Sequence, residues 1–206
     1  MEVERHPLEP FLPEGAKVLF LGSFPPPKKR WCMEFYYPNF INDHWRIVGD
    51  IFFNDKQHFV DAAAKRFKKE VITAFLQEKG IAYYDTAKTV KRLKDNASDA
   101  FLEVVEATDV QALLAQLPQC RALVTTGEKA CATLCTLFGI STLPKPSTSL
   151  PIPNMKNGVG ESIHLWRLPS SSRAYPLAFE AKVESYRTMF NKVFAEIGPE
   201  KSQKEH

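Results

Sequence analysis

A continuous apolar run at 18–21 constrains the fold most, because it leads through Gly22 into a proline-rich segment at 23–27. A run without polar alternation is typical of a strand in a parallel sheet, which is buried on both faces. Three consecutive prolines can neither extend that strand nor form the interior of a helix. The sequence therefore predicts a stiff loop just beyond the end of a buried strand. In open α/β sheets, ligands bind at that edge.

Three further segments have the pattern of strands, and helical patterns separate them. Strands are predicted at Ile81–Asp85, 122–127 and Ser162–Leu168, and helices at 45–52, 59–80, 109–117, 128–138 and 179–197. This alternation predicts a three-layer α/β/α fold around a central, mainly parallel sheet of four strands. The segment 144–153 contains four prolines and is predicted to be a loop.

The length and hydropathy of the chain favour a single domain outside the membrane. At 206 residues, the chain can form one α/β core but is short for two. Its apolar runs fall far below the roughly 18 residues that cross a bilayer, and its first residues lack the apolar core of a signal peptide. We expect one domain over residues 1–206, with a frayed tail from 198, in a cytoplasmic, nucleoid-associated monomer.

The four cysteines do not have the spacing of a metal site. Cys32 and Cys120 are isolated, Cys131 and Cys135 are four residues apart in a predicted apolar helix, and no C-x-x-C pair occurs. Buried thiols are common on such helices, whereas zinc and iron–sulfur sites typically use closely paired cysteines. We therefore expect no zinc or iron–sulfur site.

Positively charged residues are clustered although the net charge is only +3. Lys28, Lys29 and Arg30 follow the prolines, and a second cluster lies at 65–69 in a predicted helix. Either cluster contacts phosphate or forms an ordinary solvated face. Charge alone therefore does not identify a nucleic-acid partner.

The segment 35–45 has the most unusual composition, with five aromatic residues, two Asn, one Asp and one His. Together with 22–25 and 168–173, it is predicted to lie near the ends of strands. Aromatic faces can stack on a flat heterocycle while amide and backbone groups bind its edge. The same aromatics could instead pack as a loop that covers the core. No phosphate-binding loop, GxSxG elbow or HExxH sequence is present, which weakens NTPase, serine hydrolase and zinc protease interpretations.

Three short segments occur in a characteristic order. They are Gly22-Ser23-Phe24-Pro25, then Tyr36-Tyr37 followed by Asn42-Asp43-His44-Trp45, then Leu168-Pro169-Ser170-Ser171-Ser172. In order and spacing they resemble the uracil-DNA glycosylase superfamily, most closely its hypoxanthine-DNA glycosylase branch, often counted as the sixth family. The branch usually has Phe where this chain has His44. The resemblance implies a monofunctional glycosylase of base excision repair. Such an enzyme flips a damaged or deaminated base of hypoxanthine or uracil type out of duplex DNA and hydrolyses its bond to the sugar, and the reaction requires no metal and no organic cofactor.

The resemblance also implies a role for each matching position. Asn42 would be the catalytic residue, which orients water or stabilises the developing sugar cation. The base pocket would comprise Gly22, Ser23, Phe24, Pro25, Tyr36 and Tyr37. DNA would be bound by Ser170, Ser171, Ser172 and Arg173, with weaker phosphate contacts from Lys28, Lys29 and Arg30. Arg173 matches the position from which superfamily members insert a side chain into the vacated base stack.

Two positions depart from the superfamily pattern. Ser23 stands where the superfamily's most efficient uracil enzymes have Asp and its mismatch branch has Asn, and Leu168 stands where many members have His. Ser23 cannot act alone as a general base, so activity would depend on Asn42 and on departure of a protonated or well hydrogen-bonded base. The alternatives are a non-catalytic DNA- or lesion-binding relative, and an enzyme that handles free nucleosides or nucleotides.

Three nearby ionisable residues each allow two interpretations. Asp43 precedes a predicted helix, so it either caps the helix or takes part in catalysis. His44 either contacts phosphate or packs near the start of that helix. Asp85, at the end of a predicted strand, is a second candidate for the general base, and its alternative role is to cap a loop.

Overall fold

The computed structural model describes residues 3–93 and 102–194, so the predicted frayed tail lies outside the described residues. Ten strands are described: β1 Val3–Arg5, β2 Val18–Gly22, β3 Val60–Asp61, β4 Arg66–Phe67, β5 Ile81–Asp85, β6 Ala87–Arg92, β7 Leu102–Ala107, β8 Ala122–Thr126, β9 Thr148–Lys156 and β10 Ser162–Leu168. The α-helices in that part of the chain are α1 His44–Phe53, α2 Lys69–Lys79, α3 Val110–Ala115, α4 Glu128–Leu137 and α5 Phe179–Phe194. None of them is long and apolar enough to cross a membrane.

The central sheet has the strand order β5-β2-β8-β10-β9. The four predicted strands β2, β5, β8 and β10 are all present and run parallel, so the predicted mainly parallel sheet is confirmed. Along the chain, β2 connects to β5 on one side, whereas the later connections run in the other direction. Because such crossovers are right-handed, α1 and α2 cover one face of the sheet and α3 and α4 cover the other. The topological switch point therefore lies between β2 and β8.

The prediction of four strands was wrong, because the sheet has a fifth. Strand β9 pairs antiparallel with β10 and overlaps the segment 144–153, which the prolines led us to interpret as a loop. Proline lacks the N–H that a ladder needs, but β9 is at the edge of the sheet and has only one neighbour to pair with. Pro151 and Pro153 are exposed, while Ile152 between them is buried. The edge position therefore allows a strand that proline would prevent inside the sheet.

The long helix predicted at 59–80 is divided in the structure. A short hairpin of β3 and β4 comes first, and α2 begins only at Lys69. Within the hairpin turn, Asp61 Oδ1 accepts a hydrogen bond from the Ala64 amide, and Lys65 has a φ of 50°. The hairpin lets Phe59 and Phe67 both enter the core, where they are 0% and 2% exposed. The second positive cluster therefore lies mainly on a hairpin rather than on one helical face.

A second sheet, which the sequence did not lead us to expect, lies beside the end of β5. It consists of β1, β6 and β7, all antiparallel. Strand β6 begins two residues after β5 ends, and the side chain of Thr108 donates a hydrogen bond to the Asp85 carbonyl over 2.6 Å. The N-terminal strand β1 is thereby held next to the carboxyl ends of the parallel strands.

Aromatic side chains fill the space between β2, β5, α1 and α5. Phe20 stacks on Tyr83 at a centroid distance of 5.1 Å, and Trp45 lies 5.4 Å from Tyr83. The Trp45 indole also donates a hydrogen bond to the Tyr36 carbonyl over 3.0 Å, so its one polar group is paired despite complete burial. Aromatic rings of this size dominate core energetics because each buries roughly 150–250 Å². The loop 35–43 is thus anchored to the core from below.

We predict that Gly80→Ala destabilises the fold more than Gly139→Ala. Both glycines follow helices and have left-handed φ values, of 68° and 66°. An added Cβ at Gly80 would lie 3.1 Å from the Gly15 carbonyl oxygen, whereas none of the described atoms lies within 4 Å of that position at Gly139. The left-handed conformation lowers the free energy of unfolding of either variant by about 1 kcal/mol. Urea unfolding measures both variants, and any additional loss in Gly80→Ala is the cost of the close contact. Equal losses would mean that this contact relaxes freely.

Candidate functional site

The carboxyl ends of four parallel strands meet at one edge of the central sheet. Gly22 at the end of β2 is paired in register with Asp85 at the end of β5, and Leu168 at the end of β10 is paired with Thr126 at the end of β8. The predicted segments 22–25 and 168–173 begin at this edge. The loop 35–43 lies over it, with the Tyr37 hydroxyl next to the Thr126 hydroxyl and the Asp43 amide bound to the Ser171 carbonyl.

The glycine–serine turn is held rigidly by its neighbours. The Thr86 amide donates to the Gly22 carbonyl over 2.7 Å, and the Ala87 amide donates to the Ser23 carbonyl over 3.2 Å. The pairing of β2 with β5 therefore continues into the loop. Both carbonyl oxygens are therefore already bound within the fold.

The structure does not support our expectation that Phe24 and Pro25 line a base pocket. Phe24 is 8% exposed and packs in a small apolar cluster with Ala87, Val90 and Leu102. Pro25 is buried as well, and its carbonyl accepts a hydrogen bond from Arg92 over 3.1 Å. The chain after Ser23 turns toward the second sheet, and that sheet is the feature the sequence did not lead us to expect.

The two neighbouring tyrosines occupy different environments. Tyr36 is 4% exposed, its hydroxyl donates to the Glu9 carbonyl over 2.7 Å, and burial raises its pKa. Tyr37 is half-buried and has a φ of 49°, which is uncommon for a residue other than glycine. Its hydroxyl lies 2.5 Å from the Thr126 hydroxyl, across the switch point. Tyr37 is therefore the partly exposed aromatic face at this edge, while Tyr36 belongs to the core.

Asp43 is the N-cap residue of α1, but the side chain that binds the first amide of the helix is that of Asn42. The Asn42 side-chain oxygen accepts a hydrogen bond from the His44 amide over 2.9 Å, at the first residue of α1. Asp43 makes no capping bond with its side chain, and its Oδ1 instead accepts from Arg173 Nε over 2.9 Å. Because the oxygen of Asn42 is occupied, its amide nitrogen is the group suited to act on a ligand.

His44 is packed rather than available to phosphate. It is fully buried, and its ring stacks on Tyr37 at a centroid distance of 3.7 Å. His44 Nε2 and the Tyr83 hydroxyl form a hydrogen bond of 2.8 Å, while Nδ1 has no partner among the described residues. Burial lowers the pKa of His44 to about 3, so the ring is neutral at physiological pH. A neutral, buried ring cannot provide a phosphate contact, and its position supports the Tyr37 ring from beneath.

The serine loop after β10 is fastened to α1 and α5. Ser171 is 1% exposed, and its carbonyl accepts from the Asp43 amide, so the expected contact of Ser171 with DNA does not fit its burial. The buried Lys182 donates to the Ser172 carbonyl over 2.7 Å, and burial lowers its pKa. Ser170 and Ser172 are half-buried, and the side chain of Arg173 is 53% exposed. Arg173 is thus the most accessible charged group of this loop.

The first positive cluster forms an exposed 3₁₀ turn, Lys28–Arg30. Lys28 is paired with Glu34, and its ammonium group also lies 4.0 Å from the centre of the Trp31 ring. This pairing reduces the charge that Lys28 offers to phosphate. Lys29 and Arg30 remain exposed on the same turn.

One ionisable partner at this edge, His6, could not be predicted from the sequence. His6 Nε2 lies 2.7 Å from Asp85 Oδ2, and the side chains are 1% and 10% exposed respectively. Asp85 was already a second candidate for the general base, but His6 lies 79 residues away in the chain. No periodic pattern in the sequence could have predicted this contact, because β1 is brought near β5 only by its pairing in the second sheet.

Two clefts in the described part of the chain lie beside this edge. One, of about 550 Å³, borders the hairpin and includes Cys32, Arg66 and Lys68 in its lining. The other, of about 340 Å³, lies by α3 and α4 and is lined by Thr86 and Leu137 among others. Within residues 3–93 and 102–194, no group of three or more His, Cys, Asp or Glu side chains could hold a metal ion.

The fold is similar to that of one solved structure in particular. It is the solution NMR structure of a "putative Uracil DNA glycosylase" from Methanosarcina acetivorans, with a TM-score of 0.60 and 22% sequence identity. The match covers 92% of this chain and 99% of the other. No family model and no curated protein sequence matches the chain. At this identity the likeness establishes a shared α/β fold.

We predict that His44 makes the protein sensitive to acid. Between pH 7 and 5 the unfolded chain gains a proton on this histidine, while the folded chain keeps it neutral, so the free energy of unfolding falls by about 2 kcal/mol as pH falls. The His44→Phe variant should lack this part of the pH dependence, although it is less stable at pH 7 because Tyr83 loses its partner. Denaturant unfolding at both pH values measures the difference.

The Tyr83→Phe variant is the matched control, since it loses the same hydrogen bond but keeps the buried histidine. It should retain the wild-type loss of stability between pH 7 and 5. If His44→Phe and wild type lost stability in parallel, the folded chain would have to protonate His44.

Proposed function

We propose that the protein is a monofunctional DNA glycosylase, which hydrolyses the N-glycosidic bond of a damaged or deaminated base of hypoxanthine or uracil type in duplex DNA. The observation that carries the proposal is the convergence of Asn42, Tyr37, Ser23 and the serine–arginine loop at the switch point of the sheet. Ligands bind at such points in open α/β sheets. The shared fold with a protein called a "putative Uracil DNA glycosylase" supports the same class.

In this proposal Tyr37 provides the stacking surface for the extruded base. Its ring is half-buried, braced by His44 and tied to Thr126 by its hydroxyl. A rigid aromatic face of this kind binds any planar base, so hydrogen bonds at the edge must select among bases. In this proposal Gly22 and Ser23 of the first loop supply those hydrogen bonds.

Asn42 acts by position and electrostatics rather than by removing a proton. Its oxygen is held by the His44 amide, which leaves the amide nitrogen as the group that can donate a hydrogen bond to a ligand. A fixed donor can stabilise negative charge on the departing base or orient the attacking water without reorganisation. Nothing in this chemistry requires a metal or an organic cofactor.

The positively charged groups near the site favour DNA as the partner. Arg173 is half-exposed and held by Asp43, and Lys29 and Arg30 lie on the turn after the first loop. In this proposal Arg173 enters the base stack or contacts the phosphate next to the lesion, while Lys29 and Arg30 contact phosphates further along. A glycosylase of this kind acts as a cytoplasmic, nucleoid-associated monomer in base excision repair.

A second candidate is a lesion-binding protein of the same fold without catalysis. The observation that favours it is that Ser23 supplies no carboxylate in the first loop and the Asn42 oxygen is used to cap α1. A third class, an enzyme that acts on free nucleosides, uses the same sheet edge but needs no DNA. Affinity for duplex DNA that falls steeply with salt separates the DNA-binding classes from it.

We predict that Asn42→Ala abolishes most base release and lowers stability, whereas Asn42→Asp loses rate but keeps stability. Alanine removes both the amide and the cap, so we expect a loss of about 1 kcal/mol in unfolding free energy and a 10²-fold or greater loss in rate. Aspartate keeps an oxygen for the His44 amide and should retain the stability, but it lacks the donor and should still lose rate. Base release is measured on duplexes carrying hypoxanthine, uracil opposite guanine or adenine, or an alkylated purine, with alkali cleavage of abasic sites.

Wild-type activity that survives in both Asn42 variants would remove this residue from the reaction. Absence of base release by the wild type on every duplex, combined with retained binding to a lesion duplex, would favour the lesion-binding candidate. The stability measurement on each variant separates a misfolded protein from an inactive one.

We predict that Arg173→Ala weakens binding to a lesion duplex several-fold and lowers the slope of log K against log salt by about one. The matched control is Arg121→Ala, because Arg121 precedes β8 at the opposite edge of the sheet and is paired with Glu161. Fluorescence anisotropy at several salt concentrations compares the two variants. Equal effects of both substitutions would mean that Arg173 contributes only general charge.

A further inference from the structure

The buried pair of His6 and Asp85 needs an explanation beyond stability. His6 is almost completely enclosed, with its ring 4.7 Å from the Tyr84 ring and 5.3 Å from the Phe24 ring. A buried histidine–carboxylate pair contributes little net stability, because desolvation offsets the attraction between the groups. Apolar side chains would fill the same space at no such cost. The pair lies at the carboxyl edge of the sheet, where the proposed reaction takes place.

The position of Asp85 depends on Gly22, which is its direct neighbour in the register of β2 and β5. A Cβ at residue 22 would collide with Asp85 Oδ1, and the Tyr37 hydroxyl lies 3.9 Å from the same point. The missing side chain of Gly22 therefore lets the carboxylate extend over the strand end toward the switch point. Asp85 Oδ1 and the Tyr37 hydroxyl border the same space.

The other carboxylate oxygen is fixed in place by His6. Asp85 Oδ2 is bound to His6 Nε2, and His6 Nδ1 lies 2.9 Å from the Leu8 carbonyl. The His6 amide donates to the Lys88 carbonyl over 2.8 Å, which ties this segment to β6. The backbone carbonyl of Asp85 is held by Thr108. With these contacts, the carboxylate can turn little and keeps Oδ1 directed toward the crevice.

We propose that Asp85 is the general base that activates the hydrolytic water, and that His6 is a positioning residue that holds its carboxylate. This inference rests on the proposed glycosylase function and supplies the carboxylate that Ser23 lacks. As the water oxygen bonds to C1′ of the sugar, one water proton passes to Asp85 Oδ1. The bond between C1′ and the base nitrogen breaks, and its electron pair leaves with the base, which then takes up a proton from solvent or from Asp85.

The test uses the full chain and the lesion duplex that the wild type processes best, under single-turnover conditions across a range of pH. We expect Asp85→Asn to lose 10²- to 10⁴-fold in rate, the usual contribution of a general base, while duplex affinity changes less than threefold. The variant should fold, because the asparagine oxygen can still accept from His6 Nε2. The wild-type rate should decline at acidic pH, because a protonated carboxyl cannot act as a base. The residual activity of Asp85→Asn should lack this decline.

His6→Gln should lose about tenfold in rate and keep the acidic decline, because the glutamine amide can still donate to Asp85 but fixes it less well. Asp109→Asn is the matched control, since Asp109 caps α3 at an exposed position and asparagine can keep that bond. It should retain the wild-type rate and pH profile. These readouts distinguish a base and its positioning partner from a purely structural pair, whose loss would change thermal stability alone.

A folded Asp85→Asn variant with the wild-type rate and pH profile overturns the inference and leaves the glycosylase function standing. If Asp85→Asn fails to fold, His6→Gln decides: a tenfold loss at unchanged duplex affinity supports the inference, and the wild-type rate overturns it. A wild-type protein that releases no base from any duplex overturns both the proposed function and this inference.

Discussion

The parallel pairing of β2 with β5 on one side and with β8 on the other is the constraint on which the rest of the structure depends. Strand β2 is buried along its length, and its hydrogen bonds fix where both neighbours end. Because side chains alternate along a strand, a shift of one residue would turn Asp85 to the opposite face and separate it from His6. The same register keeps Thr126 within reach of the Tyr37 hydroxyl. The fold thus sets the geometry of the crevice before any loop contributes to it.

Buried polar groups are concentrated beneath this crevice. His44 is buried with one nitrogen unpaired among the described residues, Lys182 is 2% exposed, and the pair of His6 and Asp85 lies nearby. Each of these groups costs free energy that apolar residues would not, since burial disfavours charged or unpaired polar atoms. Sequences depart from the most stable choice mainly at functional sites. The concentration at one edge therefore agrees with the assignment of the site to the switch point.

The departures of the fold from the sequence-based expectation have specific physical causes. The prolines of β9 argued against a strand because proline cannot take part on both sides of a ladder, but an edge strand pairs on one side only. The segment 59–80 has enough helix-favouring residues to suggest one helix, yet the burial of both Phe59 and Phe67 favours a hairpin before α2. In each case, the deciding information is which neighbours a segment packs against. A local pattern does not contain that information.

The sequence by itself determined the four parallel strands, the placement of the Gly22 loop beyond a strand end, and the presence of α1, because these features follow from local hydrophobic periodicity and from the restrictions of proline. Only the tertiary structure decided which of two adjacent tyrosines is accessible, and that the side chain of Asn42 rather than that of Asp43 binds the first amide of α1. It also brought His6 to Asp85, which are 79 residues apart. Such contacts depend on how β1 and the second sheet pack against β5, and long-range packing leaves no signal in the local order of residues.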